Sequence, residues 1–142
     1  MEESYVMLKP GRTASEPLAS EIMERLTRET GAKIIAKGEF YLTPELVDEH
    51  YAHIVGRSFY PEMREYMLSG PVVGFVLEGA DGLVSRIRES IGATNCSTVG
   101  SIRYDYIENR EFITANVIHA SGSVDEAHDE IKRFDKFLEE VE

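Results

Sequence analysis

The chain reads as an α/β domain in which one sheet is covered by helices, and two observations carry that reading. Short apolar segments of strand length alternate with longer segments whose apolar residues recur every three to four positions, the pattern of a sheet with helical cover. One strand-length segment, Val72 to Leu77, is apolar almost throughout, as a strand buried in the middle of a sheet requires. The order of elements is βαβααβαβα, with no internal repeat or linker, so residues 1–142 are expected to form one domain.

Ser4 to Leu8 forms the first strand, and Lys9-Pro10-Gly11 breaks it. A helix opens at Ser15-Glu16-Pro17. Leu18, Ile22 and Leu26 share one of its faces, and Gly31 suits the left-handed position after its end. Lys33 to Leu42 is the second strand. Thr43-Pro44-Glu45 caps a helix in which Leu46, Val47, His50, Tyr51 and Ile54 lie on one side, and a further helix runs from about Pro61 to Leu68. Ser69-Gly70-Pro71 is a turn, Val72 to Leu77 the third strand, and Asp81 to Ile91 a helix with Leu83, Val84, Ile87 and Ile91 inward. Gly92 to Ser101 reads as an irregular loop. Phe112 to Ile118 is the last strand. Ser123 to Val141 is the last helix, with Ile131, Phe134, Leu138 and Val141 on one stripe.

Composition narrows the function. Hydrophobic residues make up 42% of the chain, enough for a proper core, and the net charge is −11. The acids crowd the chain ends, Glu139, Glu140 and Glu142 among them, which argues against a nucleic-acid partner. A local group of arginines and lysines can still hold a small anion against that field. No apolar run approaches a membrane span, the first residues read as a strand rather than a signal peptide, and the single Cys96 cannot form an internal disulfide. A cytoplasmic protein without a membrane partner is expected. Neither GxxxxGK[ST] nor GxGxxG occurs. His50 and His53 are three apart without an accompanying acid motif, so they read as packed or exposed helix histidines, and no metal-ligating set is expected.

The most informative stretch is Asn116-Val117-Ile118-His119-Ala120-Ser121-Gly122-Ser123. It sets one histidine at a strand end, directly before the start of a helix. Ser123-Val124-Asp125-Glu126 reads as a reciprocal cap for that helix. Glu130, seven residues past Ser123, is placed to hold a ring nitrogen, which is the arrangement a nucleophilic histidine needs. Taken alone, a strand-end histidine more often only caps a strand.

Other segments change that balance. Lys9-Pro10, Glu49-His50-Tyr51, Ser69-Gly70-Pro71-Val72-Val73, Glu78-Gly79, Gly92-Ala93-Thr94-Asn95, Ser101-Ile102-Arg103 and Asn116 to Ser121 follow one another in an order and spacing that resembles the nucleoside diphosphate kinases, from about Tyr5 to Phe134. The resemblance implies a ferredoxin-like sandwich with a four-stranded antiparallel sheet covered by helices. It also implies a phosphotransferase working by ping-pong transfer: a nucleoside triphosphate passes its terminal phosphate to a histidine, and a nucleoside diphosphate then takes it.

By the same resemblance His119 is the phosphorylated histidine, Glu130 the carboxylate holding its other ring nitrogen, and Tyr51 a neighbour that orients the site. Arg88 and Arg103 grip phosphate, Thr94 offers it a hydroxyl, and Lys9 contacts the sugar hydroxyl and the transferring phosphate. Asn116 binds the sugar and Phe59 stacks on the base. Mg²⁺ arrives on the nucleotide phosphates, since no carboxylate cage is visible. A homo-oligomer built on dimers is implied as well.

The chain departs from the family pattern at several points. Gly11 and Gly122 stand where aspartates are usual, and Ala93-Thr94-Asn95-Cys96 stands for the frequent Glu-Thr-Asn-Pro. Arg133-Phe134 replaces Trp-Phe, and the C-terminal extension is reduced to a short acidic end. These changes bear on assembly and rate and leave the catalytic set whole. The alternative reading, a nucleotide-binding regulatory or scaffold relative with little turnover, predicts the loss of His119, Lys9 or an arginine, and none is lost. A ferredoxin-like module binding some other small ligand would leave the pocket set unexplained.

Overall fold

The computed structural model describes residues 1–112 and 114–141. Five strands form one antiparallel sheet in the order β4-β1-β3-β2-β5. They are β1 (Glu2–Leu8), β2 (Lys33–Phe40), β3 (Val72–Gly79), β4 (Ile118–Ala120) and β5 (Glu139–Glu140). The first four give the expected ferredoxin-like order, and a two-residue fifth strand extends it. The helices are α1 (Leu18–Thr30), α2 (Pro44–His50), α3 (Tyr60–Met67), α4 (Leu83–Ile91), α5 (Ile102–Tyr106) and α6 (Val124–Phe134). Among the described residues, no helix is long and apolar enough to cross a membrane.

Alternation along β1 and β3 explains the two-sided cover. Val6, Leu8, Phe75 and Leu77 point to one face, where they meet Ile22 and Leu26 of α1 and Leu83, Ile87 and Ile91 of α4. Tyr5, Met7, Val72 and Val76 point to the other, against Val47 of α2, Met63 and Met67 of α3, and Phe134 of α6. β1 is therefore apolar from Tyr5 to Leu8, and β3 from Val72 to Leu77. Each buried aliphatic side chain contributes about 1.5–3 kcal/mol, so a charge at Leu8 or Leu77 would break the fold rather than dent it. The start of α4 is capped from β1: Glu2 accepts from the backbone N–H of Gly82 and, at 3.1 Å, of Val84. Those donors also lower the Glu2 pKa.

Three stretches differ from the sequence expectation. Of the expected strand from Phe112 to Ile118, only Ile118 is extended and paired; Phe112 and Thr114 to Val117 lie in turns, and Ile113 lies outside the described residues. The reason is the partner. β1 ends at Leu8, its last rung is the bond from the Lys9 N–H to the Val117 carbonyl, and Pro10 has no N–H to donate. Pairing shifts instead toward Ala120 and Ser121. The last helix ends at Phe134, not Val141, and the chain turns through residues 135–137 into β5, which pairs with β2. Burial wins over helical continuation here: Phe137 stacks on Phe40 at 4.5 Å, and Leu138 joins the same cluster by another route. Gly38 makes this possible, because a Cβ there would strike the Phe137 carbonyl. Glu142 lies outside the described residues. Finally, α5 occupies part of a region without an expected element. Ser101 caps it, its hydroxyl accepting from the Tyr104 N–H at 3.2 Å.

Candidate active site

Between α2, the start of α3, α4, β4 and α6 lies a cavity of about 990 Å³. All nine residues singled out by the sequence line it: Lys9, Tyr51, Phe59, Arg88, Thr94, Arg103, Asn116, His119 and Glu130.

The approach to β4 sets the geometry. Val117 has φ 78°, a left-handed conformation that costs a β-branched residue on the order of 1–3 kcal/mol. Several bonds hold it there. The Ile118 N–H donates back to the Asn116 carbonyl at 2.9 Å, and the Lys9 N–H donates to the Val117 carbonyl at 3.0 Å. Arg103 clamps both sides of the turn, with Nε donating to the Asn116 carbonyl at 3.2 Å and Nη2 to the Ile118 carbonyl at 2.7 Å. The turn sends Asn116 inward and delivers His119 into β4 opposite Met7, on the face covered by α6.

His119 Nε2 lies 3.0 Å from Glu130 Oε1, one turn and a half into α6. Both side chains are largely buried, 19% and 10% exposed. The Ser121 hydroxyl donates to the same Oε1 at 2.7 Å and accepts from the Tyr5 N–H at 3.1 Å. Glu130 thus accepts from two groups and fixes the ring: the proton sits on Nε2, and the Nδ1 lone pair is left for chemistry. The Ser123 hydroxyl caps α6, accepting from the Glu126 N–H at 3.1 Å. The reciprocal arm of that cap differs from expectation. The Glu126 carboxylate lies against Gly122, on ground that a side chain at 122 would take, and Arg88 Nη1 borders the same spot.

A second chain of polar contacts floors the cavity. Lys9 is buried and donates to Asn116 Oδ1 at 2.6 Å and to the Thr114 carbonyl at 3.3 Å. Asn116 Nδ2 donates to the Thr94 carbonyl at 3.0 Å. Burial, with the nearby Arg103 charge adding to it, brings the Lys9 pKa down to about 7. Arg103 is tied further by Nη1 to the Gly92 carbonyl at 3.0 Å, and burial lowers its pKa too. Three of its five N–H groups are therefore engaged with backbone, and it shapes the site as much as it charges it. Arg88 and Thr94 are exposed on the cavity wall. The Tyr51 hydroxyl is buried without a partner among the described residues, and burial pushes its pKa well up. Phe59, 43% exposed, stands at the mouth with the Arg57 guanidinium 5.7 Å from its ring centre.

Sequence reasoning assigned no part to three residues that the structure places in the site. Ser121 supports Glu130. His50 is buried edge-on to His119, ring centres 4.5 Å apart, and Arg133 Nη1 donates to His50 Nδ1 at 3.0 Å. Ser121 belongs to the motif around His119 and was visible there; the other two meet only in space. A nitrogen from each histidine and a Glu130 oxygen lie within 4.8 Å of one another. That spacing would suit a cation, but the bonds oppose it, because Glu130 engages His119 Nε2 and an arginine faces His50 Nδ1.

The fold and the cavity define a class: an α+β protein with a carboxylate-held histidine facing a cavity lined by Lys9, Arg88, Arg103 and Arg133 alongside carboxylates. The comparisons with known proteins narrow it. A sequence model of the family described as nucleoside diphosphate kinase matches residues 2–139. A nucleoside diphosphate kinase of Methanocorpusculum labreanum is 41% identical over 92% of this chain and 85% of its own length. One from Thermus thermophilus is 37% identical over 94% and 95%. Among solved structures, the Encephalitozoon cuniculi enzyme superposes with a TM-score of 0.84 at 36% identity, covering 94% of this chain and 88% of its own. The Aquifex aeolicus enzyme does so with 0.81 at 35% identity, covering 94% of each. The chain belongs to the nucleoside diphosphate kinase family, and its activity is that of a nucleoside-diphosphate kinase.

Proposed function

We propose that residues 1–142 act as one catalytic domain in which His119 carries the phosphoryl group between nucleotides. The observation that carries this reading is the pair formed by His119 Nε2 and Glu130 Oε1 at 3.0 Å, inside a cavity floored by Lys9 and walled by Arg88 and Arg103. His119 Nδ1 attacks the terminal phosphorus of the triphosphate. The N–P bond forms as the bond from phosphorus to the bridging oxygen breaks, and the diphosphate leaves. The positive charge gained by the ring is met by Glu130 through the Nε2 proton. A second nucleoside diphosphate reverses the step. His50 is the other histidine within reach, but it is more deeply buried and an arginine holds its Nδ1.

Arg88, the free N–H groups of Arg103, the Thr94 hydroxyl and Lys9 face the phosphates in this reading, and the Tyr51 hydroxyl lies beside the transferring group. Asn116 and Lys9 serve the sugar, and Phe59 stacks on the base. Mg²⁺ enters as part of the substrate, on the phosphates: of the four carboxylates lining the cavity, Glu49, Glu126, Asp129 and Glu130, only Glu130 belongs to a cluster of potential metal ligands among the described residues, and it already accepts from His119 and Ser121.

The test is to incubate the protein with terminally labelled nucleoside triphosphate and look for acid-labile phosphate on the chain that a different nucleoside diphosphate removes. His119→Ala should abolish labelling and lower turnover by several orders of magnitude, as loss of a covalent nucleophile does. Substantial labelling of that variant would sink the assignment. A homo-oligomer built on dimers belongs to the same reading, and light scattering on the eluting protein checks it; a monomer at micromolar concentration contradicts it.

A further inference from the structure

The pair of histidines raises a question that the His119–Glu130 couple does not answer. Two imidazoles stand edge to face, 4.5 Å between centres and 77° between planes, in a largely buried part of the cavity. His119 gains positive charge as its N–P bond forms. A second cation on His50 would oppose that step and would compete for Glu130. The state of His50 therefore bears on the reaction, and the structure specifies it. Arg133 Nη1 is 3.0 Å from His50 Nδ1. A guanidinium only donates and keeps its charge, so Nδ1 must be the acceptor and the single ring proton must sit on Nε2. Arg133 Nε also lies 3.7 Å from Glu49 Oε1, an ion-pair distance without a hydrogen bond.

We propose that Arg133 is a positioning residue for phosphoryl transfer: by donating into Nδ1 of His50 it locks that ring as the neutral, Nε2-protonated imidazole against His119 and leaves Glu130 to serve His119 alone. The proposal rests on His119 being the nucleophile. The groups facing His50 agree with it. His119 on β4, Arg133 on α6, Lys9 after β1 and His53 beyond α2 all disfavour a charge on His50, after burial itself, and hold its pKa well below the usual histidine value. Of the carboxylates that line the cavity, Glu130 is engaged with His119 and Ser121, Glu49 lies at ion-pair distance from Arg133, and Glu126 and Asp129 are exposed on α6.

The experiment reads His50 directly. In the unphosphorylated enzyme with ¹⁵N-labelled histidine, two-bond ¹H–¹⁵N spectra should show Nδ1 of His50 bare and Nε2 protonated from about pH 8 down to about pH 5, below the ordinary histidine pKa. In Arg133→Met, which keeps the stem and removes the donor, His50 should take up a second proton within that range. The acid limb of the phosphoenzyme-formation rate should move upward by about one pH unit, with the nucleotide KM little changed. Arg133→Lys should restore most of the original profile, and His50→Gln added to Arg133→Met should remove the displacement, since glutamine does not titrate. A wild-type His50 with its proton on Nδ1, or titrating near the ordinary value, overturns the proposal, and that measurement needs no variant. So does an Arg133→Met enzyme that loses activity equally at every pH and is not helped by lysine, which makes Arg133 a prop of the fold. The spectra do not depend on activity, so a labelled His119→Ala protein would refute the nucleophile while leaving the His50 result standing on its own.

Discussion

The two ends of the cavity are built differently. At the inner end, Lys9, Asn116, His119, Glu130 and Ser121 are buried or nearly so, and every one is tied to another residue by a hydrogen bond of 2.6 to 3.3 Å. At the mouth, Phe59 and His53 are exposed, and the Arg57 guanidinium lies 5.7 Å from the Phe59 ring centre. The difference follows the chemistry proposed for each end. Charge develops at the inner end during transfer, and donors fixed in advance stabilise it without reorganising. The mouth has only to accept a flat base, and an open ring face does that for any base.

Three outcomes would break or sharpen this contrast. The largest concerns the phosphate wall. Arg88→Ala should weaken triphosphate binding by about 1.5–3 kcal/mol, through lost charge-assisted bonds, and leave nucleoside binding unchanged. In the same calorimetric series Phe59→Ala should weaken nucleoside, diphosphate and triphosphate by one common factor, at the lower end of the roughly 1–3 kcal/mol that stacking contributes. Equal losses across the three ligands for Arg88→Ala would remove Arg88 from the phosphate site.

The smallest effect is a proton. With a pKa of about 7, Lys9 is mostly neutral above that pH in the free enzyme, and a bound triphosphate favours its charged form. Binding should therefore take up close to one proton at about pH 8 and almost none at about pH 6, and affinity should fall about threefold between about pH 6.5 and 7.5. Titrations in buffers of different ionisation enthalpy measure this. No proton uptake at about pH 8 would mean that Lys9 is already charged in the free enzyme.

The sequence carried the sheet and its cover because β1, β3, α1 and α4 are strongly patterned, and their periods match their burial. The nine residues it singled out line one cavity, since their motifs lie at element ends that the fold brings together. What it misjudged was non-local. The run from Phe112 to Ile118 has strand composition, but whether it pairs depends on where β1 stops, and Pro10 decides that from a hundred residues away. The stripe Ile131, Phe134, Leu138, Val141 fits a helix equally well as the path the chain takes, in which Phe137 stacks on Phe40. Arg103 was readable as a cation, whereas its three bonds to carbonyls of Gly92, Asn116 and Ile118 exist only in the folded chain. Arg133 and His50 are 83 residues apart, and no local pattern announces their contact.

The pairing of β4 with β1 has a consequence for how the molecule comes into being. Tyr5 and Ser121, which bond across that pair, are 116 residues apart. The partners of Lys9, Thr114 and Asn116, follow it by 105 and 107 residues, and the strand that carries the histidine is the last of the four-stranded core in chain order. Folding must close a loop of nearly the whole chain before the cavity exists, which is the slow kind of contact to make. Until then β1 presents one unpaired edge, and the chain can assemble much of its apolar core while the cavity is still unformed. The cavity closes only as β4 docks on β1.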